Sequence, residues 1–273
     1  MNLLTNSGFT SILTDYTHGA SVLTRRLLSL LSELPGAGEA LLMELTAAAG
    51  LLREAHPELV SLASVMREVI ASAKAGMPAA PAAHQLAERW EANQREVVSL
   101  AADYIATHPG IITVSYSGLV RDAVVAARAR GCPVRVFVGE GRPRCEGLLL
   151  AAELVLCGAS CTVYVDAAFA DFLAQADAVL VGADAVGPEM MLNKVGTRIL
   201  LQEARRCGLP TAVAYDFLKL VSAEEFPQTL STHPADEVAG GRRIPQAVRV
   251  VNRYFELVPL NLVDTHLCAA GGK

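Results

Sequence analysis

Acidic side chains follow several apolar runs in the second half of the chain, at the points where buried strands would end. Asp166 follows CTVYV, Asp184 follows AVLVGA, and Asp216 follows TAVAY. Burial would raise the pKa of Asp184, whereas the charge of Lys194 would lower it. Such competition tunes a carboxyl group for proton transfer, so Asp184 is the candidate catalytic acid or base.

Two of these aspartates also have a structural explanation, because an aspartate before a helix often caps exposed backbone N–H groups. Asp166 precedes AAFADFL and Asp216 precedes FLKL. Capping is the favoured interpretation of Asp166, while Asp216 stays open between capping and a role in the site. Asp184 is followed by the apolar pair AV, which favours a side chain delivered into a cleft.

Basic residues near these strand ends could bind a phosphate group. Arg142 and Arg144 flank Pro143, whose ring fixes the local backbone and could turn both guanidinium groups toward one anion. Surface arginines paired with carboxylates are the alternative. Asn193 and Lys194 precede the predicted helix VGTRILLQEA, and a helix start with free N–H groups favours an anion.

An α/β fold would bring these residues together. After His108, the apolar runs GIITVSY, VRVFVG, CTVYVD, AVLVGAD and TAVAYD, with VVNRYFELVP as a late sixth candidate, alternate with helical segments. That alternation predicts a Rossmann-like parallel sheet with helices on both faces. Ligands bind outside the carboxyl ends of such strands, so residues 108–273 are predicted to form a ligand-binding domain.

The first part of the chain has a helical pattern. Apolar residues recur at three- and four-residue spacing in ASVLTRRLLSLLSEL and PELVSLASVMREVIASA. Gly and Pro interrupt this pattern at PGAG, AHP and AGMPAAP. The prediction is a helical domain over residues 1–107, placed before the Rossmann-like domain.

Composition narrows the classes of partner and cofactor. The 273 residues carry a net charge of -5, so nucleic acid and anionic membranes are not expected to bind. The six cysteines include no CxxC pair and no zinc-ligand spacing, and neither GxGxxG nor a Walker loop is present. No secretory leader or membrane-spanning run is recognisable, so the expected location is the cytoplasm.

The motifs VGADAV, NKVGT and GRPRCEG, placed behind a helical N-terminal half, resemble one family. It comprises sugar-phosphate isomerases acting on methylthioribose 1-phosphate and ribose 1,5-bisphosphate, and the homologous regulatory subunits of eukaryotic initiation factor 2B. The resemblance covers nearly the whole chain. DYTHGASVLTRRLL looks like the family's N-terminal loop, which implies phosphate contacts near Gly19 and Ala20.

The resemblance also implies roles for the candidate residues. Asp184 would move protons during ring opening and aldose-to-ketose conversion, Asn193 and Lys194 would contact the substrate, and Arg142 and Arg144 would bind its phosphate. No metal or organic cofactor is implied. The implied assembly is a homodimer or higher homo-oligomer, in which the segment RYFELVPLNLVDTHLCAAGG would join the interface or form a simple edge strand.

One departure from the isomerases affects the chemistry. They carry a cysteine after the first strand, where this chain has TVSYS, ending at Ser117. A thiol has a pKa of about 8.5 and a serine hydroxyl is a far poorer acid, so Ser115 is expected to position the substrate by hydrogen bonding. Ser117 is a further substrate-binding candidate. Cys145 is a candidate for the missing thiol, although it is expected to face the following helix.

Three hypotheses follow from these patterns. The first is an isomerase acting on a phosphorylated pentose, of the ribose 1,5-bisphosphate or methylthioribose 1-phosphate type, and it is favoured by the pair Asp184 and Lys194. The second is a non-catalytic regulatory protein that senses a sugar phosphate or nucleotide and signals to a protein partner. It is favoured by the sequence SYS at residues 115–117, which lacks the isomerase cysteine. The third makes the acids helix caps in a purely structural oligomer component.

Overall fold

The structure is a computed structural model that describes residues 2–269. Its N-terminal half is helical, as predicted. The apolar stripe of each helix faces a shared core that contains Leu23, Leu27, Leu52 and Trp90. The helices are α1 (Ser7–Thr14), α2 (Ala20–Ser32), α3 (Glu39–Ala55), α4 (Val60–Lys74) and α5 (Ala79–Thr107).

Helix α5 belongs to both halves of the molecule. Trp90, in its first half, packs in the helical core, whereas Val97 and Ile105 pack against the sheet. A helix of 29 residues is about 43 Å long, enough to reach from one core to the other. Because the two halves share this helix, a two-domain division at residue 107 stays a prediction.

The second half is built on a six-stranded sheet with strand order β3-β2-β1-β4-β7-β9, and every neighbouring pair is parallel. The predicted α/β fold is confirmed. Both faces are buried, since Val136 and Val138 of β2 enter one core and Phe137 enters the other. The strands are β1 (Gly110–Thr113), β2 (Arg135–Gly139), β3 (Ser160–Tyr164), β4 (Ala178–Gly182), β7 (Thr211–Ala214) and β9 (Thr265–Leu267).

A second, antiparallel sheet lies beside the main one and corrects one prediction. The segment VVNRYFELVP contributes a strand, β8 (Phe255–Pro259), to this small sheet, and the sixth strand of the main sheet is β9 instead. The strand that β8 pairs with, MMLNK, is short and ends in polar residues, so it lacked an apolar strand pattern. The small sheet consists of β5 (Ala185–Val186), β6 (Met190–Lys194) and β8 (Phe255–Pro259).

Five further helices connect the strands. They are α6 (Gly118–Ala129), α7 (Glu146–Leu156), α8 (Ala170–Leu173), α9 (Thr197–Arg206) and α10 (Ala235–Ala239). No helix in the described part of the chain is long and apolar enough to cross a membrane. The C-terminal apolar segment supplies β8 and the edge strand β9, and its last three residues lie outside the described residues.

Candidate functional site

Asp184 lies at the carboxyl end of β4, in the turn that leads into β5. Its backbone N–H donates a hydrogen bond of 2.8 Å to the carbonyl oxygen of Leu192 on β6. That bond joins the end of the main sheet to the small sheet and fixes the Asp184 backbone. The residue as a whole stays partly exposed, so a ligand could reach it.

Opposing influences act on the Asp184 carboxyl group. Burial raises its pKa, the charges of Lys219 and Lys194 lower it, and the charge of Glu58 raises it, with a net shift upward. Lys219 is only 6% exposed, and its ammonium nitrogen donates a 2.5 Å hydrogen bond to the carbonyl oxygen of Ala183. The competition with Lys194 was predicted from the sequence. Lys219 was not predicted, and its one signal was a lysine among apolar residues in FLKL.

Lys194 is buried and paired. Its ammonium nitrogen lies 2.9 Å from both carboxylate oxygens of Glu146, the first residue of α7. The same nitrogen lies 5.3 Å from the ring centroid of Tyr254, within cation–π range. A buried charge needs such partners to offset the loss of water. Lys194 is therefore held in one place near Asp184.

Arg142 and Arg144 both reach the short helix α10. The Arg142 guanidinium donates to the carbonyl oxygens of Glu237 and Val238, at 3.1 and 3.2 Å. Arg144 lies 3.7 Å from a carboxylate oxygen of Glu237 and 3.5 Å from the hydroxyl of Tyr254. Both arginines therefore contact the same helix. The anionic group next to Arg144 is the Glu237 carboxylate, which belongs to the chain itself.

Glu237 has further partners on the segment that precedes β8. Its carboxylate accepts hydrogen bonds from the amide of Asn252, at 2.8 Å, and from the hydroxyl of Tyr254. Burial opposes ionisation, but these hydrogen bonds and the charge of Arg144 lower the pKa of Glu237 overall. The carboxylate is thus charged at neutral pH and competes with any phosphate for Arg144.

The helix start after Asn193 and Lys194 differs from the prediction. Both residues lie on β6, and α9 begins at Thr197. The Asn193 amide donates to the Thr197 hydroxyl at 3.1 Å, while the backbone N–H groups of Gly196 and Arg198 both donate to one oxygen of Glu256 at 2.8 Å. The anion-binding position predicted at this helix start is therefore occupied by the Glu256 carboxylate.

Strand geometry explains why Asn193 and Lys194 have different surroundings. Alternate residues of a strand face opposite sides, and on β6 Met191 packs in one core while Leu192 packs in another. Asn193 shares the side of Met191, and Lys194 shares the side of Leu192. Asn193 and Lys194 were predicted to contact the substrate as a pair, whereas the pleat of β6 directs their side chains to opposite sides of the strand.

Ser115 and Cys145 are the non-glycine residues between 2 and 269 whose φ is positive, at 61° and 57°. This conformation costs a non-glycine residue about 1 kcal/mol or more and is concentrated at functional sites. Ser115 follows β1 and Cys145 follows β2, so both strained positions lie at the carboxyl edge of the sheet. The Cys145 thiol lies 4.0 Å from the carbonyl oxygen of Pro143.

Ser117 lies against the end of β4. Its hydroxyl accepts a 3.4 Å hydrogen bond from the Val120 backbone N–H at the start of α6. A Cβ atom added at Gly182 would lie 2.5 Å from the Ser117 hydroxyl oxygen, which explains a glycine there. The loop after β1 is therefore in close contact with the strand that carries Asp184.

The other two strand-end aspartates organise the loops around the site. The Asp166 carboxylate accepts from the backbone N–H groups of Gly141 and Arg142, at 2.8 and 2.7 Å, and makes no capping bond to its own turn. The capping role predicted for Asp166 was wrong, because the N–H groups that bond to its carboxylate belong to the loop after β2 and not to its own turn. Asp216 does cap, accepting from Leu218 N–H at 3.1 Å, and so fixes the turn that carries Lys219.

The N-terminal loop is organised separately. Gly19 is the exposed N-cap of α2, and Ala20 is its buried first residue. Asp15 accepts from the backbone N–H groups of Thr17 and His18, at 2.9 and 3.0 Å. Across residues 2–269, no hydrogen bond or ion pair joins this loop to Asp184, Lys194 or Lys219. The phosphate contacts of Gly19 and Ala20 stay a prediction.

The arrangement suits proton transfer on an anionic ligand. The Asp184 carboxyl group, whose pKa is raised, interacts with the charges of Lys194 and Lys219. Arg144 contacts the hydroxyl of Tyr254, whose ring lies beside Lys194. Within the described residues, no three histidine, cysteine or acidic side chains are grouped to hold a metal ion.

Residues 18–272 match the model of the initiation factor 2 subunit family. A ribose 1,5-bisphosphate isomerase of Haloferax volcanii is 33% identical over 205 residues, which cover 72% of this chain and 62% of that protein. A methylthioribose-1-phosphate isomerase of Desulforudis audaxviator is 32% identical over 266 residues, covering 88% of this chain and 76% of that protein.

Among solved structures, a translation initiation factor eIF-2B of Pyrococcus horikoshii OT3 superposes with a TM-score of 0.82 at 23% identity. The match covers 97% of this chain and 94% of the other. At that identity the likeness concerns the fold alone.

Proposed function

The chain belongs to the initiation factor 2 subunit family, and from that premise we propose that it isomerises a phosphorylated aldopentose to the corresponding ketose. The substrate would be of the ribose 1,5-bisphosphate or methylthioribose 1-phosphate type. The observation that carries the proposal is the partly exposed Asp184, whose pKa is raised by burial while Lys219 and Lys194 keep its charged form accessible. A residue that only capped a helix would need neither the burial nor the two cations.

Each candidate residue has a role in this proposal. Asp184 moves protons, and Lys194 and Lys219 stabilise negative charge that develops on the substrate oxygens. Arg142 and Arg144 bind phosphate after α10 has moved away from them. Proton transfers between side chains and sugar account for the reaction, so the proposal includes no metal or organic cofactor.

The remaining candidates contribute binding contacts. Ser115 and Ser117 would position the sugar from the loop after β1, where the strained Ser115 backbone turns its side chain. Gly19 and Ala20 would offer backbone N–H groups at the start of α2. Asn193 would act through the start of α9, since its amide is bonded to Thr197.

A second candidate function is a non-catalytic sensor of a sugar phosphate or nucleotide. It is favoured by the hydrogen bonds of Arg142 to carbonyl oxygens of α10 and by the ion pair between Arg144 and Glu237. A ligand phosphate that replaced Glu237 would release this helix and change the surface offered to a protein partner. Such a switch requires binding but no proton transfer.

We propose a homodimer in the cytoplasm for either function. Leu148, Leu149 and Leu156 are exposed on α7, which packs beside β3, the edge strand of the main sheet. Exposed apolar side chains next to a free strand edge are typical of a protein interface. The molar mass in solution, measured by light scattering, distinguishes a dimer from a 28.8 kDa monomer.

Proton NMR tests the isomerase proposal directly. The protein is mixed with ribose 1,5-bisphosphate, and separately with methylthioribose 1-phosphate, and ketose signals and ligand line widths are followed. Ketose formation from one of the two supports the isomerase. Line broadening without product supports the sensor, and the absence of both effects contradicts the assigned ligand class.

A further inference from the structure

His233 is a histidine outside the predicted site residues that has an unexplained environment. Its ring stacks on Tyr254, with centroids 3.5 Å apart and planes 3° from parallel, and its backbone N–H donates to the Asn252 carbonyl oxygen at 2.9 Å. The Nε2 atom is buried and has no hydrogen-bond partner among residues 2–269. A buried ring nitrogen without a partner is unfavourable, and a ligand that bonds to Nε2 would remove that cost.

His233 and Asp184 share two charged neighbours. Glu58, Glu237, Arg144 and Lys194 act on the His233 imidazole, and two of them, Glu58 and Lys194, also act on the Asp184 carboxyl group. The Tyr254 ring, which stacks on His233 and lies 5.3 Å from the Lys194 ammonium nitrogen, connects the two groups. Asp184 lies at the end of the main sheet, and His233 lies in the segment before α10.

Two local contacts fix this position. Glu58 is 4% exposed and accepts a 2.5 Å hydrogen bond from the Ser231 backbone N–H, two residues before His233. On the other side, the Tyr254 ring that stacks on His233 also lies 5.3 Å from the Lys194 ammonium nitrogen. The imidazole is thus held between the anchored segment and the ring.

The other polar groups nearby are already engaged. Lys194 is bonded to Glu146, Lys219 to the Ala183 carbonyl oxygen, and the Tyr254 hydroxyl to Glu237. An aldose-to-ketose conversion needs one group that donates a proton and one that accepts a proton from carbon. Asp184 can serve as one of them, and the serine hydroxyls near β1 are too weakly acidic to serve as the other.

We propose that His233 is the second proton-transfer residue of the isomerisation, with Nε2 directed to the sugar carbon that loses a proton. This role rests on the proposed isomerase function. Burial lowers the pKa of His233, and Arg144 and Lys194 lower it further against the opposing charges of Glu58 and Glu237. The imidazole is therefore neutral near pH 7 and able to accept a proton, while the raised pKa of Asp184 favours a carboxylic acid that donates one.

Four proton transfers, two through each side chain, convert the aldose to the ketose. Asp184 donates its proton to the ring oxygen as the bond between that oxygen and C1 breaks, and the bond's electron pair goes to the oxygen. His233 Nε2 takes the proton from C2, and the C–H electron pair forms the double bond of the enol between C1 and C2. The C2 hydroxyl returns a proton to Asp184 while the imidazolium protonates C1, which yields the ketone and restores both side chains.

The test compares His233→Gln with a matched control, His108→Gln. Glutamine keeps hydrogen-bonding capacity but does not titrate, and His108 is also packed on a tyrosine, with its ring 4.5 Å from that of Tyr104. In His233→Gln we expect kcat to fall about a hundredfold to ten-thousandfold with KM changed only a few-fold. The limb of the pH profile that reports an essential base should disappear. His108→Gln should keep wild-type kcat and pH profile.

The results distinguish this inference from the proposed function. Turnover by the wild-type protein together with an unchanged kcat and pH profile in His233→Gln would overturn the role of His233 and leave the isomerase standing. No turnover of either sugar phosphate by the wild-type protein would overturn both.

A second measurement covers the case in which His233→Gln fails to fold. The ¹⁵N resonance of His233 Nε2 in the wild-type protein should shift when the substrate binds, because the nitrogen gains a partner. An Nε2 resonance that stays unchanged at saturating substrate would contradict the inference.

Discussion

The ammonium nitrogen of Lys219 lies 2.5 Å from the carbonyl oxygen of Ala183, the residue directly before Asp184. This bond holds a second buried cation next to Asp184, in addition to Lys194, and the charges of both lysines lower the pKa of its carboxyl group. The turn that carries Lys219 is itself fixed by the cap that Asp216 provides. The carbonyl group of Ala183 thereby links Lys219, from the turn after β7, to Asp184 at the end of β4.

Replacing Lys219 by methionine is expected to reduce turnover at least about tenfold and to shift its pH dependence upward. The charge of Lys219 lowers the pKa of Asp184, so its removal raises that pKa further and keeps the carboxyl group protonated to higher pH. The measurement is kcat as a function of pH. Lys74→Met, at the exposed end of α4, is the control and should leave the profile unchanged. A Lys219→Met profile identical to wild type would contradict the coupling.

Releasing α10 should strengthen ligand binding. Glu237 occupies Arg144 and is bonded to Asn252 and Tyr254, so Glu237→Gln removes the charge that competes with phosphate. Calorimetric titration with a pentose phosphate is expected to give a Kd several-fold lower than for wild type. Asp236→Asn changes the neighbouring exposed carboxylate of the same helix turn and should have no such effect. Weaker binding by Glu237→Gln would mean that α10 contributes to the ligand site instead of obstructing it.

Arg144→Ala should abolish the thermal stabilisation that a pentose phosphate gives to the protein. A ligand that binds the folded state raises Tm by an amount that grows with the logarithm of its concentration relative to Kd, and the guanidinium that pairs with phosphate supplies most of the affinity expected for this ligand. The comparison is the ligand-induced shift in Tm for Arg144→Ala, for wild type and for Arg206→Ala, whose side chain is 72% exposed on α9. Equal ligand-induced shifts in Tm for all three proteins would show that Arg144 does not bind the phosphate.

Gly182→Ala should disturb the site through Ser117. The added methyl group would lie 2.5 Å from the Ser117 hydroxyl oxygen and 2.9 Å from its Cβ, so the start of α6 must shift. Overpacking of this kind costs about 1 to 3 kcal/mol of unfolding free energy, measured by denaturant titration, and should lower turnover as well. Gly50→Ala, on α3 with open space around it, should be neutral or slightly stabilising. Equal stability of the two variants would refute the close approach.

The sequence predicted those parts of the molecule that depend on local periodicity. Five apolar runs identified five strands of the main sheet, and helical spacing identified the N-terminal bundle. The small sheet was misassigned because MMLNK ends in Asn193 and Lys194, and its pairing with β8 is a contact between distant segments. No local pattern reports a pairing of that kind.

The candidate site was predicted only where its residues follow strand ends or precede a helix. Asp184 and Arg144 were proposed in the first way, whereas Lys194 was proposed as a residue before a predicted helix. Glu58 and Lys219 were not, since they come from the α3–α4 connection and from a turn after β7, and only packing brings them to Asp184. Asp166 was misinterpreted because its backbone donors belong to another loop.

The most direct test of the account is the kinetic consequence of Asp184→Asn, with Glu189→Gln in the exposed β5–β6 turn as the control. Asparagine preserves the shape of the side chain and removes its proton exchange. The account predicts that kcat for the pentose phosphate falls at least about a thousandfold while Kd stays within a few-fold of wild type, and that Glu189→Gln behaves as wild type. Turnover by Asp184→Asn at the wild-type rate would contradict the assignment of Asp184 as the group that moves protons.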